Sequence, residues 1–323
     1  MSTAHLPPVR ALAMSDVYAA RERIAGSCLR TPLVRLELGA GFPDIRLKLE
    51  NLQPINAYKL RGAVNAVQAL SETERQRGVW TISAGNAGQG VAYAARQAGV
   101  PCTVVAIETA PASKLDRMRA LGAKLVLVPY EVAWKAVETH QFADVEGTLI
   151  HPFDDDQFIA GHATMALEIL EDAPETKAII AGIGGGGLIV ALGSVMKALR
   201  PDIKTWGVEP ETAAPFALSF AKKSPQKFPN RVASFVDGAG GLSVFPRMWE
   251  RMKPVVDGAS VVTLDETRKA MRMMAEKARV ISEGAGALPL AAALTGKAGA
   301  GPIVCVVSGG NLDLKAFAEL IDV

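Results

Sequence analysis

The sequence predicts an α/β fold built on mainly parallel sheets flanked by helices, and three observations carry that prediction. Short β-branched runs alternate with helical patterns from residue 79 onward, the arrangement of βαβ units. Glycine-bearing loops stand where those runs hand over to helices. The 323 residues are 49% hydrophobic and 6% aromatic, enough for two lobes or one large unit with ample core.

Taken in order, Val79-Trp80-Thr81-Ile82 reads as a strand and Gly90 to Gln97 as the helix after it. Thr103 to Ile107 is a buried strand. Ser113, with Asp116 three residues on, is expected to cap a helix that runs to Leu121 and ends at Gly122. Leu125 to Val128 is the next strand, and this block closes near Leu149 as a small lobe. A second series opens with the strand Ala178 to Ala181, a glycine run and the helix Ile189 to Leu199. Thr205 to Val208 and Ile303 to Val307 are further buried strands. Residues 211–260, rich in Pro, Gly and Phe, read as loops over a site.

Several function classes are excluded on composition. A net charge of +2 with scattered lysines and arginines gives no basic block for nucleic acid. No run of about 20 apolar residues suggests a membrane span, and the start lacks the apolar core of a signal peptide. Cys28, Cys102 and Cys305 are odd in number and lack metal spacing, so a reducing, cytoplasmic compartment is expected, with Cys102 and Cys305 as buried thiols. The chain ends soon after Asn311, and no C-terminal regulatory domain is expected.

Four stretches carry chemistry. Lys59 follows an aromatic residue, Tyr58, where a helix starts, and reads as an amine that captures an aldehyde. Gly184, Gly185, Gly186 and Gly187, then Leu188, lie between a strand and a helix, so their N–H groups suit a compact phosphate. Gly182 to Gly187 also fits the dinucleotide pattern, which keeps an NAD(P)-dependent oxidoreductase as an alternative. The loop Ser83, Ala84, Gly85, Asn86, Ala87 can hold a second anion such as a substrate carboxylate. Asn86 suits either a ring hydroxyl or a helix cap. Ser308, ahead of Gly309-Gly310-Asn311, places a hydroxyl at a strand's carboxyl end, where it can face a pyridine nitrogen. Together these are what a pyridoxal 5'-phosphate (PLP) site requires. Glu283 reads as a group beside the ring or as a cap. Asp154-Asp155-Asp156 reads as a helix cap and His151 as structural.

These stretches join Thr31-Pro32-Leu33, Lys48-Leu49-Glu50-Asn51, Leu60 to Ala63 and Glu283 to Ala287 in one order over nearly the whole chain. The set resembles the fold-type II PLP enzymes (tryptophan synthase β-like), in the serine/threonine dehydratase (threonine ammonia-lyase) and serine racemase branch. The resemblance implies Lys59 as the Schiff-base lysine, Asn86 at the ring hydroxyl, Gly184 to Leu188 at the phosphate and Ser308 at the ring nitrogen. It also implies a small lobe of residues 79–149 inserted in a large PLP-binding lobe of 1–78 and 150–323, and a homodimer. Ala84 replaces the serine that serves racemases as an acid, so β-elimination is favoured over the alternative, an amino-acid racemase. Ala87 stands for the usual histidine and reads in two ways: as room for substrates from serine and threonine to 3-hydroxyaspartate or 3-phenylserine, or as neutral drift at a lobe hinge. Tyr58 stands for phenylalanine. Glu209 and the Ala213 carbonyl match metal-ligand positions, but Pro215 replaces an acidic ligand, so no metal is expected. A β-replacement synthase, whose loop threonines are missing here, and a silent binding protein complete the alternatives.

Overall fold

The structure, a computed structural model, describes residues 6–143, 145–299 and 301–322. In chain order its strands are β1 (Leu33–Arg35), β2 (Ile45–Leu49), β3 (Val79–Ile82), β4 (Cys102–Ile107), β5 (Lys124–Val128), β6 (Thr148–Leu149), β7 (Ala178–Gly182), β8 (Lys204–Pro210), β9 (Gly258–Val262) and β10 (Ile303–Val307). Contacts divide the chain into one unit of Met1–Cys28 with Lys59–His162 and another of Leu29–Tyr58 with Ala163–Val323.

The first unit holds a parallel sheet in the order β5-β4-β3-β6. Its central strands are β-branched because both faces are covered, so Val104 and Val105 are fully buried. The helix Asn86–Ala98 packs on β3 and β4, and the helix Lys59–Gln68 packs on Asn86–Ala98 in turn. This packing draws residues 59–78 and the helix Met14–Ile24 to the smaller sheet, so the unit extends beyond the expected 79–149. The start of the Lys59 helix is fixed by a close approach to the helix Asp156–Asp172. A Cβ on Gly62 would lie 2.5 Å from the Phe158 carbonyl, and one on Gly161 would lie 2.3 Å from that of Arg61.

The second unit holds the sheet β1-β2-β10-β7-β8-β9, parallel throughout except for β1 against β2. All five residues of β10 are buried, as expected for a central strand of a parallel sheet. Beside it the motif residues near the start of the chain make a buried polar network. Lys48 Nζ donates to Glu168 Oε2 (2.6 Å) and to the Thr31 carbonyl (2.7 Å), while Thr31 donates to Glu50 (2.6 Å). Those residues therefore hold the strand ends, since a buried ammonium needs its partners.

Some local expectations are corrected. The helix Ala112–Ala120 is entered from Pro111 with no side-chain cap, so Ser113 lies inside it. Proline pre-sets the backbone there, and no hydroxyl is needed. Helices begin at Asn86 and Gly187, four and two residues ahead of the apolar pattern, because glycine loops lead straight into them. Residues 211–260 carry the helices Pro215–Lys222 and Pro246–Met252, each with proline at its first turn. Cys102 and Cys305 are buried free thiols. Among the described residues no helix is long and apolar enough to cross a membrane.

Candidate active site

In the first unit, Lys59 opens the helix Lys59–Gln68. The residue is half-buried, but its amine is enclosed, and burial lowers its pKa from 10.5 to about 7. Lys59 Nζ donates to the Pro152 carbonyl at 2.6 Å and sits 5.3 Å from the centre of the Phe158 ring. A lysine tuned this way is a nucleophile and base near neutrality, whereas an ordinary surface lysine is almost wholly protonated. The sign gives a test. Below about pH 7 the amine is protonated and cannot attack a carbonyl, so aldehyde capture should accelerate as pH rises from about 6 to about 8 and then level off. The absorbance change when PLP meets cofactor-free protein measures that rate; a pH-independent rate contradicts it.

Ser83 to Asn86 connect β3 to the helix Asn86–Ala98. Gly85 is the N-cap, so Asn86 is the first helical residue and its side chain is not the cap. The Ser83 hydroxyl accepts from the Gly85 N–H (3.1 Å), which curls the loop. First-turn N–H groups lack carbonyls within the helix and can hold an anion. Ala84 brings no polar side-chain atom to this loop, and Ala87 is buried in the first turn.

In the second unit, Ile183 to Gly186 connect β7 to the helix Gly187–Leu199. Gly186 is the N-cap in a left-handed conformation (φ +92°) with no side-chain cap. The first-turn N–H groups from Gly187 onward therefore meet no cap, and Gly184 lies exposed beside them. This is a cradle for a compact anion, and it fits the phosphate of PLP.

Ser308 follows β10 and is buried. Its carbonyl accepts from the Tyr58 N–H (3.0 Å), and the Gly309 carbonyl accepts from the Glu283 N–H (3.0 Å). One strand end thus anchors Ser308, Tyr58 and Glu283 together. Glu283 precedes the helix Gly284–Leu294 as its N-cap, but its side chain makes no capping bond. Burial first, and the charge of Glu283 second, raise the Tyr58 pKa, so its phenol stays neutral. The metal-ligand positions are engaged differently. Glu209 accepts from the N–H groups of Phe216 (3.1 Å) and Ala217 (2.8 Å) at the start of the helix Pro215–Lys222. Burial raises that carboxyl to about 8, which opposes the charge a divalent ion would need. Among the described residues no group of three or more His, Cys, Asp or Glu side chains could hold a metal.

Two of the groups beside the Lys59 amine are not marked in the sequence. One is a backbone carbonyl, of Pro152, and the other is an aromatic ring 99 residues away, so neither leaves a local signal. Asp155 does cap the helix Asp156–Asp172, accepting from the Phe158 N–H at 2.8 Å.

Comparison with known proteins agrees with this chemistry. A family model described as pyridoxal-phosphate dependent enzyme matches residues 24–309. A catabolic L-threonine dehydratase of Staphylococcus aureus is 34% identical over 332 residues, covering 100% of this chain and 94% of the relative. Among solved structures, maize serine racemase superposes with a TM-score of 0.87 at 31% identity, covering 96% of this chain and 97% of that one. Serine racemase of Dictyostelium discoideum does so with a TM-score of 0.83 at 33% identity, covering 94% and 99%. A threonine deaminase from T.th. likewise gives a TM-score of 0.83 at 35% identity, covering 93% and 99%.

Proposed function

The chain belongs to the pyridoxal-phosphate dependent enzymes, and from that premise we propose that it is an ammonia-lyase that eliminates water from β-hydroxy amino acids. The products are a 2-oxo acid and ammonia. The observation that carries this reading is the enclosed Lys59 amine, held near neutrality by burial.

When bound, PLP supplies an electron-withdrawing ring that acidifies the substrate's Cα–H. The N–H groups of Gly184 to Leu188 would hold its phosphate, Asn86 would meet its ring hydroxyl, and Ser308 would face its ring nitrogen as a neutral partner. Tyr58 and Glu283 would border the ring. The backbone of Ser83 to Ala87 binds the substrate carboxylate and orients Cα. Lys59 would anchor the cofactor, and its amine, free once the substrate is bound, would take the α-proton on Nζ. Passing that proton from Nζ to the β-hydroxyl would let it leave as water, and tautomerisation and hydrolysis of the freed enamine would give the 2-oxo acid and ammonia. The active species is taken to be a homodimer, as the family resemblance implies.

Substrate range rests on Ala84 and Ala87, which leave the carboxylate loop without bulky or acidic side chains. We extend it from serine and threonine to 3-hydroxyaspartate and 3-phenylserine. Assaying the holoenzyme for 2-oxo acid release on these four amino acids tests the function; no release from any of them defeats it.

Racemisation needs a proton donor on the ring face opposite Lys59, and Ala84 has none to give. Ala84→Ser is expected to raise interconversion of L- and D-serine by about tenfold or more while elimination persists. Chiral chromatography of the remaining serine reads this, and a parent enzyme that already racemises as fast would remove Ala84 from the account.

A further inference from the structure

Four aromatic and acidic side chains behind the Lys59 amine form a cluster that the elimination chemistry does not use. His151 is buried, and its Nδ1 accepts from the N–H groups of Phe153 (3.3 Å) and Asp154 (2.8 Å). Accepting at Nδ1 leaves the proton on Nε2, which donates to the Val137 carbonyl at 3.0 Å. The ring thus sits inside the turn 151–154, with Phe153 edge-on at 4.6 Å. That turn presents the Pro152 carbonyl to Lys59 Nζ.

A second histidine closes the cluster. His140 stacks on His151 with ring centres 4.1 Å apart and planes 20° from parallel, and its Nε2 lies 3.3 Å from Asp154 Oδ2. Asp154 is buried, so this contact is shielded from competing water. His140 is also the C-cap of the helix Tyr130–Thr139, in a left-handed conformation (φ +57°). Glycine is the ordinary residue there, and a side chain is strained. The strain is retained where the imidazole makes two contacts that glycine could not.

We propose that His140 is a positioning residue for Lys59. Through its stack on His151 and its contact with Asp154, it locks the turn whose Pro152 carbonyl sets where the lysine amine points. One helix end therefore clamps the turn twice, through the Val137 carbonyl and through His140. The proposal rests on Lys59 being the catalytic amine.

His140→Gly is an informative variant because glycine adopts the left-handed cap without strain, so a merely capping role predicts parental turnover. In the holoenzyme kcat should fall about tenfold or more, with KM changed by less than about twofold and a shifted absorbance band of the bound cofactor. His140→Asn tolerates the same backbone and offers an amide N–H to Asp154, so it should recover most of the loss. A His140→Gly enzyme with parental kcat and absorbance overturns the proposal. So does a His140→Asn enzyme no better than His140→Gly, including where the glycine variant also melts lower. Borohydride treatment of the parent with peptide mapping separates the two levels. Cofactor fixed on Lys59 with kcat unmoved by the variants defeats the positioning role alone, whereas a parent with no fixation there defeats the lysine assignment.

Discussion

Lys59→Ala is expected to cut 2-oxo acid release by about a thousandfold or more, because one substitution removes both the proposed anchor of the cofactor and the proposed base. The rest of the site stays in place. Alanine is the best helix former, and position 59 begins a helix, so the backbone around Gly62 and Gly161 has no reason to move. The cofactor-free variant should even fold more favourably at neutral pH. Burial lowers the folded-state pKa of Lys59 to about 7 from an ordinary 10.5, so between those values the unfolded chain binds more protons than the folded one. Stability of the parent therefore rises with pH across that window and is lowest below about 7. In Lys59→Ala this contribution vanishes. Melting curves of both cofactor-free proteins from about pH 7 to pH 10 should converge as pH rises. Release above about a tenth of the parental rate would show that another group takes the α-proton.

The difference between Lys59 and its surroundings explains what could be read in advance. Strands β3, β4, β5, β7, β8 and β10 are runs of β-branched and apolar residues with glycine, proline or serine at or near one or both ends, so periodicity and punctuation found them. Loops of the proposed site follow three of these strands, and their residue types state their chemistry: a helix start free of bulky side chains at Ser83 to Ala87, unblocked N–H groups at Gly184 to Gly187 and a hydroxyl at Ser308, while Lys59 opens a helix of its own. Strand β1 has three residues and β6 two, too short for any period to show. The division of the chain was not legible either. It turns on two tertiary contacts of the helix Lys59–Gln68: its packing against Asn86–Ala98, and its close approach to Asp156–Asp172, which the small residues Gly62 and Gly161 allow. His151 and Asp154 read singly as a structural residue and a helix cap, and nothing in the sequence marks His140. Only the stack and the turn, which bring residues 140 and 151–154 onto one ring, give them a common task.

Gly186→Val is expected to weaken PLP binding by about a hundredfold, with much less effect on turnover once cofactor saturates. Two independent effects act at this residue. At φ +92° a β-branched side chain is strained by roughly 1–2 kcal/mol or more. Its Cβ would also lie 2.6 Å from Met252 Sδ and 3.3 Å from Met248 Cε, within a buried packing layer. Methionine can yield, but the left-handed backbone cannot be kept by valine. Relief comes by rotating the peptide units at Gly186 and Gly187, which turns the N–H groups away from the proposed phosphate position. About 2.8 kcal/mol corresponds to a hundredfold in affinity, so the strain and a share of one charge-assisted hydrogen bond suffice. Gly186→Asn separates the causes, since asparagine accepts a positive φ while still meeting Met252. Affinity restored in that variant assigns the loss to backbone conformation; affinity as poor as in Gly186→Val assigns it to the methionine contact. Titrating cofactor-free protein with PLP by absorbance measures both, and a Gly186→Val protein of parental affinity would move the phosphate site away from this loop.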